Sequence, residues 1–237
     1  MPFVDVIHHE QLGTVVVSVR RNSSRLTARW KSGVVNLNVP YGVGIKEIDR
    51  FLDDFTPQIL EKRPAVKFCV GMKIRIAEGM TIEISSQSIE PLTVLGQITP
   101  RGGIVAVGSE LPFDAPLVMK RINSMILKVA RNHASSILLP HARKVATRLG
   151  AHPTGWNISK GHRTLGQCDM HGVISLSYVL LFLPEDLREY VICHELAHLL
   201  EMNHSSRFHA LLDSYLDGQE AALTARLRRY SWPILRN

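Results

Sequence analysis

The sequence predicts an α+β protein with a strand-rich N-terminal half and a helical C-terminal half. Short runs rich in β-branched residues recur up to about residue 107, and apolar residues at helical spacing dominate from about residue 117. A length of 237 residues with 45% hydrophobic content is ample for a buried core. We therefore expect one region over residues 1–112 and a second over residues 113–237, divided among the prolines near Ser109 to Pro116.

The first half is expected to contain short strands and one helix. Residues 15–19, 26–30 and 34–39 predict a meander, with a hairpin turn at Lys31-Ser32-Gly33. Apolar residues at helical spacing predict a helix over residues 45–60 that ends before Pro64. Strands are expected again at residues 73–76 and 81–84, around a turn containing Gly79, and at 104–107.

The second half is expected to contain helices. One is predicted over residues 117–132, a second from Pro140 to Gly150, and a third from Pro184, with a broad apolar stripe. Residues 173–182 precede the third helix and predict a strand. At the edge of a sheet this strand would offer its main chain to an extended peptide, whereas an internal strand would not.

The third helix carries His194, Glu195 and His198 in the pattern His-Glu-x-x-His. Residues four apart lie on one helix face, so the two imidazoles can converge on a single cation such as zinc. Glu195 then lies beside the ion, where its carboxylate can take a proton from a water molecule that the ion activates. This is the zincin arrangement, and it predicts a small zincin-like metallohydrolase domain in the C-terminal half.

A third ligand requires the helix to stop, because six further helical residues would carry His204 to the far side. We expect Asn203 to provide a left-handed stop and Ser205 or Ser206 to cap the next helix, which leaves His204 at a corner facing the metal. His209 and Glu220 are the alternatives. His209 lies in an apolar pattern typical of a packing residue, or of one that supports a ligand, and Glu220 would suit a downstream carboxylate ligand.

These residues resemble a known family. The run from Tyr190 to Leu199, then Asn203-His204-Ser205 and Phe208, is similar to the YgjP-like predicted metal-dependent hydrolases, distant kin of the SprT and Spartan peptidases. Upstream, residues 163–168 and 172–177 also resemble that family. The resemblance implies a zinc hydrolase, most often named a peptidase, with His194, His198 and His204 as ligands and Glu195 as the base.

Three positions depart from the family pattern. Leu165 stands where Trp is usual, Gln167 where Ser is usual, and His209 where Trp is common. None of these departures removes a candidate metal ligand, and all three concern the substrate pocket. The expected function is a zinc-dependent metallopeptidase. The alternatives are a metal-dependent hydrolase of a phosphoanhydride such as a nucleotide, and a metal-containing binding module associated with nucleic acid.

Charge and cysteine content bear on partners and location. From Lys120 to Arg163 there are nine basic residues and no acidic residue, which predicts either a partner such as nucleic acid or another polyanion, or a basic surface without a partner. The sequence shows no signal peptide and no stretch of membrane-spanning length. Three unpaired cysteines favour a reducing, cytoplasmic setting, with Cys168 either a buried thiol or an extra ligand.

Overall fold

A computed structural model describes residues 4–21, 23–31, 34–61, 66–87, 89–161 and 164–235. The helices are α1 (Ile45–Glu61), α2 (Pro116–Leu149), α3 (Glu185–Ala197), α4 (Ser206–Tyr215) and α5 (Glu220–Arg228), with a short 3-10 helix at Tyr178–Phe182. The strands are β1 (Val4–His9), β2 (Gly13–Arg20), β3 (Thr27–Lys31), β4 (Val34–Pro40), β5 (Lys73–Ala77), β6 (Met80–Ser86), β7 (Val94–Thr99), β8 (Gly102–Val107), β9 (Gly155–Ser159), β10 (Gly166–Cys168) and β11 (Val173–Ser177). The mixed α+β class with a strand-rich first half is confirmed.

The chain forms two compact units. The first is drawn from Met1–Lys67, Pro112–Arg121 and Leu235–Asn237, and the second from Phe68–Leu111 and Ile122–Ile234. The predicted division after residue 112 follows the change from strand pattern to helix pattern in the sequence. It stays a prediction about domain organisation.

The first unit contains a four-stranded sheet in the order β1-β2-β4-β3. The predicted meander is wrong, because β4 lies between β2 and β3 and pairs parallel with β2 and antiparallel with β3. This order places the two most apolar strands side by side, so that their buried faces form one core with α1; its fully buried members include Val15, Val35, Leu37 and Leu52. The predicted turn at Ser32-Gly33 and Pro64 lie outside the described residues, although Lys31 pairs with Val34.

A four-stranded sheet of the second unit has the order β5-β6-β8-β7. The predicted strands around Gly79 are β5 and β6, which pair antiparallel, and the strand predicted at 104–107 is β8. Helix α2 packs against β8: a Cβ on Gly103 would lie 2.6 Å from a methyl of Val129. The imidazole of His133, which is buried, lies with its Nε2 2.7 Å from the carbonyl oxygen of Gly102. The sheet is therefore anchored to the helix by packing and by a buried hydrogen bond.

The two helices predicted between residues 117 and 150 are one helix, α2, which continues through Pro140. Pro140 removes one main-chain hydrogen bond, but buried side chains continue on both sides of it, at Leu138 and Ala142, so tertiary packing maintains the helix. The predicted end is right, because Gly150 follows the last turn with φ +63°. Ala151 donates to Ala146 O there, the bond typical of a glycine-terminated helix. None of the described helices combines the length and apolar character that crossing a bilayer requires.

A three-stranded sheet in the order β10-β11-β9 lies next to α3, which packs against β10 and β11. The strand predicted over residues 173–182 ends at Ser177, whose hydroxyl accepts from Val179 N and caps the 3-10 helix. Of the two alternatives for this strand, the structure gives the internal one, since β11 pairs with β10 on one side and β9 on the other. The edge strand beside α3 is β10.

Candidate metal centre

Helix α3 presents His194 and His198 on one face, as their spacing predicts. Their ring centroids lie 4.9 Å apart, and the rings meet edge to face. Pro184 occupies the N-cap position, and Glu185 and Asp186 follow in the first turn, where acidic side chains suit the positive end of a helix. The apolar residues of α3 are fully or almost fully buried, so the motif is held on a helix fixed by the core.

His204 reaches the same place because α3 ends at Ala197, with His198 as its C-cap. Leu199 and Leu200 donate to Leu196 O and Ala197 O, and these tight turns reverse the chain. The left-handed stop predicted at Asn203 is wrong, because Asn203 has no positive φ and the short turns have already ended the helix. The Nε2 atoms of His204 and His194 lie 3.1 Å apart.

Phe208 lies against all three imidazole rings. Its centroid is 4.9 Å from that of His194, 4.6 Å from that of His198 and 4.8 Å from that of His204. The side chain is fully buried, and α4 is fixed at its start by Ser205, whose hydroxyl accepts from Phe208 N as a helix cap. The predicted cap at Ser205 is confirmed. Phe208 is therefore a rigid apolar floor under the histidine cluster.

The carboxylate of Glu195 is buried beside β10. A Cβ on Gly166 would lie 2.5 Å from Glu195 Oε1, so only glycine leaves room for the carboxylate there. The main-chain N–H of Cys168 donates to this carboxylate. Burial raises the pKa of Glu195 to about 7, and the hydrogen bond from Cys168 opposes that rise only in part. A carboxylate with a pKa near 7 is suited to accept and return a proton at neutral pH.

Burial favours the neutral form of His194 and His198. Burial, together with smaller contributions from the neighbouring histidines, lowers the pKa of His194 to about 4. Burial also lowers the pKa of His198. Neutral imidazoles have free lone pairs, which is the state that metal coordination needs.

The cluster fits a small divalent cation. One nitrogen from each of His194, His198 and His204 lies within 4.8 Å of the others. Tetrahedral zinc with bonds of about 2.0–2.1 Å places its nitrogen ligands roughly 3.3 Å apart, close to the 3.1 Å between His194 and His204. His198 Nδ1 lies 3.1 Å from Glu201 O, which fixes the ring and leaves Nε2 for the ion. His204 is exposed, so the cluster is open on one side.

The alternative third ligands lie elsewhere. His209 Nδ1 and Glu220 Oε1 are 2.6 Å apart, so these two residues bind each other. His209 was expected to be a packing residue or one that supports a ligand; its side chain is 53% exposed, and its ring lies edge to face against Phe208. Cys168 is buried and its Sγ lies 3.6 Å from Asp169 O, so it is a buried thiol outside the described histidine cluster. All three cysteines are free.

Of the positions that depart from the family pattern, Leu165 is half-buried and its carbonyl accepts from Ser177 N, while Gln167 is exposed on β10. Arg163, which begins the family-like segment 163–168 and ends the basic stretch, lies outside the described residues. Phe208 and Gly166 are functional candidates whose roles sequence reasoning missed. Phe208 entered the sequence analysis only through the family resemblance, and the closeness of Gly166 to Glu195 depends on tertiary contacts.

The basic residues of α2 do not form one stripe. At 100° per residue, Lys128 and Lys144 project about 160° apart around the helix. Arg131 lies over the ring of Tyr178, 4.7 Å from its centroid, and also donates to the Tyr178 hydroxyl. Arg148 pairs with Glu189 at 2.5 Å. Part of the positive charge is therefore satisfied within the second unit.

Comparison with known proteins identifies the class. Residues 24–230 match the family described as "YgjP-like, metallopeptidase domain". The match covers most of the chain, which therefore belongs to the YgjP-like family of metal-dependent peptidases, and the three-histidine cluster supplies donors for a divalent ion.

Among solved structures, the metallopeptidase zymogen of Pyrococcus abyssi abylysin is similar at 25% sequence identity, over 42% of this chain and 98% of that chain, with a TM-score of 0.33. The comparison with curated proteins finds no significant match.

Proposed function

We propose that the chain is a zinc-dependent peptidase of the zincin type, in which His194, His198 and His204 hold one ion and Glu195 is the general base. The observation that carries this proposal is the convergence of the three imidazoles next to a buried carboxylate. Three histidine ligands with one open side are typical of catalytic zinc, whereas structural zinc is closed by four protein ligands.

A bound zinc ion supplies Lewis acidity, polarising the scissile carbonyl and bringing the pKa of a coordinated water to about 7. Proton transfer and the positioning of the reacting groups are assigned to residues of the protein. Glu195 accepts a proton from the attacking water and returns it to the leaving amine. Gly166 and Cys168 hold the carboxylate at a fixed place, and Phe208 fixes the three rings from below.

The proposed substrate is a peptide or unfolded protein, supported by the metallopeptidase family. The alternative, hydrolysis of a phosphoanhydride, would need basic groups beside the cluster to bind phosphate. Arg131 and Arg148, two of the basic residues of α2, are engaged with Tyr178 and Glu189 instead. The peptidase is therefore the better supported of the two reactions.

The ligand assignment is tested by metal analysis. The wild-type protein should bind one divalent ion per chain, and His204→Ala should weaken that binding by at least about 10-fold, because one of three protein ligands is lost. His209→Ala is the matched control on the same helix-turn segment and should keep its metal. Undiminished affinity in His204→Ala, with loss in His209→Ala or Glu220→Ala, would show that the third ligand is misassigned.

The catalytic role is tested with Glu195→Gln, which keeps the size of the side chain and removes its basicity. The zinc-loaded variant should lose about 10²–10⁴ in hydrolysis rate with metal content unchanged. Denatured casein and nucleoside triphosphates are offered in parallel to the wild-type enzyme. Cleavage of the triphosphates alone would replace the peptidase with the phosphoanhydride reaction, and cleavage of neither would favour a metal-containing binding module.

A further inference from the structure

His209 and Glu220 form a pair beside the histidine cluster. His209 follows Phe208 on α4, and its ring centroid is 6.5 Å from that of His204, with the two rings tilted by 35°. It meets the floor residue Phe208 edge to face at 5.5 Å. The imidazole is therefore a neighbour of the cluster without belonging to it.

The pair is held from the α5 side. The main-chain N–H of Glu220, the first residue of α5, donates to Asp213 Oδ1 at 3.0 Å. Glu220 Oε1 lies 2.6 Å from Nδ1 of His209, within hydrogen-bond distance. The Glu220 side chain is only 16% exposed, whereas the His209 side chain is 53% exposed. Asp213 thus holds the main chain of Glu220, and the mostly buried Glu220 carboxylate orients an imidazole that faces solvent.

The hydrogen-bond chemistry of the ring follows from this contact. A carboxylate oxygen accepts, so Nδ1 of His209 carries the hydrogen. In the neutral form of the ring, Nε2 then has a lone pair, on the edge turned away from Glu220. Among the described residues, Nε2 of His209 has no hydrogen-bond partner. An oriented, exposed acceptor therefore lies next to the proposed reaction centre.

We propose that His209, oriented by Glu220, contacts the substrate, with its Nε2 accepting a hydrogen bond from a main-chain N–H of a peptide bound at the cluster. This inference rests on the proposed peptidase function and adds a substrate-binding residue to it. A main-chain N–H is present in every peptide, so the contact would aid binding of many sequences. Glu220 acts through His209 as a positioning residue.

The test measures binding without turnover. Fluorescein-labelled denatured casein is titrated against zinc-loaded Glu195→Gln, and then against the same protein carrying His209→Phe, His209→Gln or Glu220→Ala. His209→Phe should raise Kd about 3- to 10-fold, the range expected for loss of one hydrogen bond. His209→Gln retains an acceptor oxygen and should recover part of the affinity. Glu220→Ala leaves the ring unoriented and should raise Kd less than His209→Phe.

The matched control is His152→Phe, which removes another exposed imidazole of the second unit and should leave Kd unchanged. Metal content and the unfolding midpoint are measured for every variant and should stay at the values of the Glu195→Gln parent. Unchanged Kd in both His209 variants would overturn the inference, as would loss of metal in step with loss of affinity. If the Glu195→Gln parent does not bind casein and the wild type does not cleave it, the proposed function itself has failed.

Discussion

At the scale of single residues, Glu195 owes its position to contacts that are distant in the sequence. Its carboxylate lies against Gly166 and accepts a hydrogen bond from the N–H of Cys168. Both residues are on β10, which is separated from α3 in the chain by β11 and the short 3-10 helix. The backbone of a strand thus forms one wall around the proposed base. Any side chain at position 166 would occupy the space of the carboxylate.

We expect Gly166→Ala to displace Glu195 and lower hydrolysis by about 10²-fold, near the lower end of the effect of losing a general base. Its Cβ would lie 2.5 Å from Oε1 and 2.6 Å from Cγ of Glu195, closer than van der Waals contact allows. Metal content should stay at the wild-type value, because the three atoms nearest to the added Cβ all belong to Glu195 and none to an imidazole. The measurement is kcat/KM on denatured casein together with zinc analysis.

Gly155→Ala is the control in the same sheet. Its Cβ would meet only methyl groups of Val173 at 3.6 Å, an ordinary contact, so activity should remain within about 2-fold of the wild type. Wild-type activity in Gly166→Ala would show that the carboxylate does not need its observed position.

The residue-scale features that the sequence predicts are those governed by local geometry. Helical spacing places His194 and His198 together, and the need to stop the helix puts His204 at a corner. The means of stopping was mispredicted, since turns at Leu199 and Leu200 act before Asn203. The contact between Gly166 and Glu195 needs the pairing of β10 with β11, which no local pattern specifies.

At the scale of elements, Arg188 joins several segments of the second unit. Its buried guanidinium donates to the carbonyls of Leu180, Leu181 and Leu183 around the 3-10 helix, and to that of Ile76 on β5. Burial lowers the pKa of Arg188, because little solvent is available to stabilise the charged guanidinium. The end of β5, the 3-10 helix and α3 are therefore held by one cation and four carbonyl oxygens.

We expect Arg188→Met to lower the free energy of unfolding by about 3 kcal/mol, because buried carbonyls lose a charged donor and gain no replacement. Chemical denaturation followed by circular dichroism measures the change. Arg148→Met is the control, since its partly exposed pair with Glu189 should contribute less than about 1 kcal/mol. Equal losses in the two variants would contradict the role assigned to Arg188.

Helix α2 shows which helix boundaries can be predicted from the sequence pattern and which cannot. Pro140 predicts a new helix start, because proline suits the first turn and disrupts an interior. The structure keeps one helix because buried residues such as Leu138 and Ala142 continue their packing across the proline. Gly150 ends the helix as expected, since a positive φ is a local property of glycine. Local chemistry predicted the end of α2, and tertiary packing decided its middle.

At the scale of the whole molecule, strand order is the feature that the sequence predicts least. The sequence locates the segments of β2, β3 and β4, but β2 pairs in parallel directly with β4, although β3 lies between them in the chain. Similar parallel pairing joins β6 to β8 in the second unit. Alternation of apolar residues shows which face of a strand is buried, and does not show which strand lies beside it.

The net charge of +7 still predicts salt-sensitive association with polyanions, a property of the whole surface. A fluorescent single-stranded oligonucleotide should bind weakly at low salt and lose affinity as salt rises, since each neutralised phosphate releases counterions. Because Lys128 and Lys144 project to different sides of α2, charge reversal at either one alone should lower the affinity only modestly. Binding at low salt no stronger than that of a neutral protein would remove nucleic acid as a partner.

Only five residues separate His198 from His204, and His204 is the exposed member of the cluster. An ion held as proposed would close a short loop within residues 194–204, so it would cross-link no part of the chain outside that segment. Because His204 is the exposed ligand, we expect the ion to leave when His204 turns outward while His194 and His198 stay on α3. Exchange is then expected in the folded protein, and occupancy would follow the concentration of free metal around the enzyme.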